Sequence, residues 1–108
     1  MNKYLMNASV AFALVYAATM EAEVSDTRTI ITIPMTGNGA LSLSADSKPS
    51  IGDEIILKVS SDGTARDLTF GTGFTAPTLS GTISKTKVLS LVYDGTSFIA
   101  TSAAVQIN

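Results

Sequence analysis

The chain has 108 residues, 45% hydrophobic and 15% charged, with a net charge of −2 and neither histidine nor cysteine. That balance describes one compact domain and excludes a disordered tail. The seven cations, Lys3, Arg28, Lys48, Lys58, Arg66, Lys85 and Lys87, are scattered, which excludes the basic footprint that a nucleic acid needs, and without His or Cys the usual neutral-pH base and thiolate chemistry are excluded too.

The opening stretch, MNKYLMNASVAFALVYAATM, places Val10, Phe12, Leu14 and Tyr16 at even positions and Ser9, Ala11 and Ala13 at odd ones. Period two with bulk on one face favours a strand, and the alanine content leaves a short helix over 8–18 as the alternative. Lys3 ahead of an apolar run to Ala18 resembles a secretory signal, but Asn7 and Ser9 interrupt the run, and it is too short and broken to span a bilayer. Residues 1–20 are therefore expected to form an apolar attachment or oligomerisation segment, and 21–108 a β-sandwich domain. Two roles are open for the even row: it fills pockets in a partner, or it is the first strand of this domain's own core.

Next, Met20, Ala22 and Val24 alternate with Glu21 and Glu23, and TRTIITI supplies a β-branched run that Pro34 is expected to end. Glu21, Glu23 and Asp26 read as a solvated face rather than a metal site. TGNG at 36–39 predicts a turn, ALSLS a strand, SADSKPSIGD a polar loop, and EIILKV a strand with Ile55, Leu57 and Val59 inward. Asp62-Gly63 predicts a hairpin returning into RDLTF.

Residues 71–84, GTGFTAPTLSGTIS, form a long loop that includes Phe74 and is the first place to look for a contact surface. It lacks the Lys-Ser/Thr of a phosphate loop. Adjacent Asp53 and Glu54 cannot flank one glycosidic bond, because neighbouring strand residues face opposite ways. KVLSLVY, the turn Asp94-Gly95-Thr96 and SFIATSAAV predict a closing hairpin, with Val88, Leu89, Leu91 and Val92 suggesting burial on both faces. The reading is all-β: a single small antiparallel β-sandwich or barrel-like domain with an N-terminal apolar strand or short helix.

Two stretches, IGDEIILKVSSDGTARDLTFGTG and TKVLSLVYDGTSFIA, resemble a β-rich module that recurs in bacteriophage virion proteins, among them head fibres, capsid decoration proteins and tail-fibre segments. The likeness covers about Thr27 to Thr101; the module often carries tryptophan where Phe98 stands here. It implies a non-enzymatic structural component in the virion, homotrimeric, that contacts other virion proteins such as the major capsid protein, with no cofactor, nucleic acid or membrane partner. The expected protein-binding residues are Val10, Phe12, Leu14, Tyr16 and Phe74. The alternative is a host-glycan or receptor-binding module of a tail fibre, resting on the 71–84 loop.

Overall fold

The computed structural model describes residues 9–24 and 26–108. They form strands β1 (Ser9–Ala13), β2 (Thr19–Ala22), β3 (Arg28–Met35), β4 (Gly39–Leu43), β5 (Glu54–Ser61), β6 (Asp67–Phe70), β7 (Phe74–Thr75), β8 (Leu79–Ser80), β9 (Thr86–Tyr93), β10 (Phe98–Ala100) and β11 (Val105–Gln106), with no helix among the described residues. The all-β expectation holds, and the part of 8–18 within the described residues supplies a strand.

Strand direction departs from the antiparallel expectation. One sheet has seven strands in the order β1-β3-β5-β9-β10-β7, with β11 also paired to β9; the other has four, β2-β4-β6-β8. From β1 to β6 the chain alternates between the two sheets, so successive strands of one sheet run the same way. Ser9 pairs with Arg28 and Arg28 with Glu54 in parallel, while Thr19 pairs with Ala40 and Ala40 with Thr69. The result is a two-layer, solenoid-like coil. Antiparallel strands close one end of it, β9 on β5 and β8 on β6.

Period two along each strand builds the core. Ile31, Ile33, Ile55, Leu57, Leu89 and Leu91 of the larger sheet face Met20, Ala22, Leu41, Leu68 and Leu79 of the smaller, all in one buried cluster. Val88 and Val92 do not join it: they lie on the outer face of β9 and are half-buried, so the expected two-sided burial is not complete.

Pro34 stops a different strand from the one expected. β3 runs through it to Met35, because even residues of β3 turn their main chain toward β1 and odd residues toward β5. Leu14 N–H donates to Thr32 O at 2.9 Å. The next donor along that ladder would be the Pro34 nitrogen, which has no hydrogen, so the pairing of β1 ends there.

The two Asp-Gly steps also differ. Asp62-Gly63 carries the chain from β5 across to β6 in the other sheet, an arc rather than a hairpin. The Asp62 carboxylate holds it by accepting from Arg66 Nε at 2.8 Å and from Thr64 N–H at 3.2 Å. Asp94-Gly95 does close the β9–β10 hairpin, through residues 94–97, with Gly95 at φ 103°. Asp94 Oδ1 accepts from the N–H groups of Thr96 and Ser97 at 2.8 and 2.9 Å.

These contacts hold both aspartate carboxyls below their ordinary pKa, Asp62 chiefly through its bond from Arg66 and Asp94 chiefly through the Ser97 and Thr96 amides. A carboxylate whose folded pKa is depressed adds stability that is complete above its unfolded pKa and is lost as pH falls through the folded one. The urea midpoint is therefore expected to hold steady down to about pH 4 and to fall below it. Replacing both residues with alanine should flatten that fall; an unchanged slope would contradict the two turn assignments.

Thr29 is fully buried on β3, and among the described residues its hydroxyl has no hydrogen-bond partner. A buried hydroxyl left unpaired costs more than a methyl of the same shape. Thr29→Val is expected to raise stability by about 1 kcal/mol in denaturant titration; a loss of stability would show that the hydroxyl is satisfied.

Candidate functional site

Two of the surface concavities formed by the described residues could admit a ligand. A cleft of about 210 Å³ is lined by residues 77–80, Lys87, Leu89 and 102–104. Its only titratable group is Lys87, whose Nζ donates to Ser80 O at 2.7 Å. A shallower groove of about 470 Å³ is lined by Ala18, Asn38, Gly39, Ala40, Asp67, Thr69 and Thr78. Asn38 Oδ1 accepts from Asp67 N–H at 3.0 Å, its backbone oxygen accepts from the Tyr16 hydroxyl at 2.7 Å, and Thr69 Oγ1 donates to Gly39 O at 3.3 Å. These bonds fasten the fold, and among the described residues neither hollow pairs a nucleophile with a base.

The residues expected to bind a partner are placed as follows. Phe12, Leu14 and Tyr16 are half-buried against this chain's own core, at the end of the coil opposite the closing strands. Val10 heads the same row and is 38% exposed. Phe74 is 8% exposed, its ring centroid 5.5 Å from that of Phe70 and 5.9 Å from that of Phe98. It is buried because the 71–84 stretch is not a free loop: β7 adds to β10 and β8 to β6. Phe74 therefore offers no ring to a surface ligand.

Sequence reading missed the main chain of β1. The Leu14-to-Thr32 bond fixes the alternation: Val10, Phe12 and Leu14 turn their N–H and C=O groups toward β3, and Ser9, Ala11 and Ala13 turn theirs away. On β2, Ala40 N–H donates to Ala18 O and Ser44 N–H to Ala22 O, which directs the main chain of Thr19 and Glu21 outward. No described strand pairs with either outward row. The Glu21 and Glu23 side chains are exposed beside it, and neither is in an ion pair among the described residues. The signals in the sequence were slight: small residues at alternate positions, and a proline whose meaning depends on register.

No protein-family model matches the chain, and no curated protein matches it.

Proposed function

We propose that the protein is a structural component of a bacteriophage virion, of the capsid-decoration or head-fibre type, acting through protein–protein contacts as a homotrimer. The observation that carries this reading is the likeness of residues 27–101 to the virion module, from the Gly52-Asp53 step into β5 to the Asp94-Gly95-Thr96 turn after β9.

Surface chemistry supports a contact role. On the outer face of the larger sheet Ile30 is paired with Ile56, Val92 with Ile99 and Val88 with Val105, three apolar pairs set among Ser90, Lys58 and the Arg28–Glu54 ion pair. Ile99 and Val105 are exposed, and apolar groups of this kind suit burial against further copies of the chain. The glycan-binding alternative has less to rest on, since Phe74 is in the core.

Light scattering at micromolar concentration is the test of assembly: a mass of three chains is expected, and Ile56→Lys should lower it. A monomeric mass for the unaltered chain would overturn the trimer. Purified protein is also expected to co-sediment with capsids of the phage that encodes it; failure to do so would overturn the attachment role.

A further inference from the structure

We propose that the open end of the coil takes an extended segment of a partner protein in which apolar and basic residues alternate, laid along the outward edges of β1 and β2. The inference rests on the reading above only in needing a protein partner, and it names that partner's chemistry.

A strand edge left bare is a template for another strand, and proteins commonly guard such edges with charge, proline, short strands or cover. The closed end of this coil is guarded. β7, β8 and β11 are two residues long each, and Lys87 Nζ occupies the Ser80 carbonyl at 2.7 Å. Among the described residues the open end is not: β1 is Ser-Val-Ala-Phe-Ala, with no charge and no proline, and the N–H and C=O groups of Ser9, Ala11 and Ala13 point outward. Their small side chains leave room for a close neighbour.

Side chains then select the occupant. Toward the gap between the sheets stand Val10, Phe12 and Leu14, none of them fully buried, so the inward residues of an added strand meet apolar groups. On the outer face of β2 and one residue beyond its end, the exposed Glu21 and Glu23 would sit across from the outward residues of a strand laid on that edge. Opposite charges across strands stabilise pairing and like charges oppose it. A second copy meeting this one head to head would set glutamates against glutamates; a strand bearing Lys or Arg at alternate positions would not. Main-chain bonds supply affinity and the alternation supplies selectivity.

The test uses the full chain, isotopically labelled, and amide hydrogen exchange. In the isolated protein the amides of Ala11 and Ala13 are expected to exchange fast and those of Phe12 and Leu14 slowly; slow exchange at all four would show the edge already covered and overturn the proposal. The probe is a peptide of about nine residues alternating valine with lysine. It should slow exchange at Ala11, Ala13, Thr19 or Glu21, whereas the same peptide with glutamate for lysine should not. Glu21→Gln with Glu23→Gln should weaken binding about three- to tenfold, and added salt should do likewise. Ala13→Pro combined with Thr19→Pro removes an outward N–H from each edge and leaves the β3 and β4 ladders intact, so the pair should abolish protection without lowering the melting temperature. No protection by the lysine peptide, equal binding of both peptides, or self-association that protects the edge would each overturn it. If the edge protects as expected but the protein is absent from particles, the virion reading fails and this inference stands; presence in particles without edge protection gives the reverse.

Discussion

Replacing Phe98 with alanine is expected to cost about 3–5 kcal/mol. Phe98 opens β10, is fully buried, and joins three strands: its ring centroid lies 5.0 Å from that of Tyr93 on β9 and 5.9 Å from that of Phe74 on β7, and its N–H donates to Gly73 O at 2.8 Å. Truncation would leave a cavity between these rings that short strands on either side cannot close by moving independently. Against a total of about 5–15 kcal/mol for a domain, that is a large share of the stability. Denaturant titration reads the loss directly; a change under about 1 kcal/mol would mean that the ring is not the centre of this packing.

The second large effect is expected at Gly73. Its φ of 90° is one that side chains with a Cβ rarely adopt, and a Cβ built there would press on Cβ of Leu43, with Leu43 Cγ at 3.3 Å. Leu43 cannot yield easily, because its own N–H donates to Thr72 O at 2.8 Å. Gly73→Ala should therefore cost about 1–2 kcal/mol for the backbone conformation and about 1–3 more for the displaced neighbour. Gly52 provides the comparison: φ is 92°, and nothing lies within 4 Å of the added carbon, so Gly52→Ala should show the conformational cost alone. Equal losses at the two positions would contradict the close approach of the 71–73 turn to β4.

Much of the strand content was legible because alternation reports a buried face residue by residue. Ile55, Leu57 and Val59 are inward as the pattern EIILKV required, and Met20, Ala22 and Val24 are buried between exposed glutamates. What alternation does not report is which strand lies alongside. Asp62-Gly63 has the composition of a hairpin, but the bond from Arg66 to Asp62 and that from Arg66 N–H to Ser61 Oγ turn the chain into the other layer, and this reverses the direction expected of β6. The even row of the N-terminal stretch was readable as apolar; that it packs on this chain's own core depends on the pairing of β1 with β3. The outward edge could not be read at all, since alanine side chains carry no chemistry and a main-chain row has no signature in composition. Phe74 misled for a related reason: glycine and proline around it suggested a free loop, while two short ladders, each only two residues long, fix the stretch to both sheets.

The central claim is that this chain is built into a virus particle. Mass spectrometry of gradient-purified particles of the phage proposed to encode it tests that most directly. The account predicts peptides of this chain at a fixed ratio to the major capsid protein, retained after washing and lost from particles of a deletion mutant; particles that lack the chain while infected cells contain it would contradict the account.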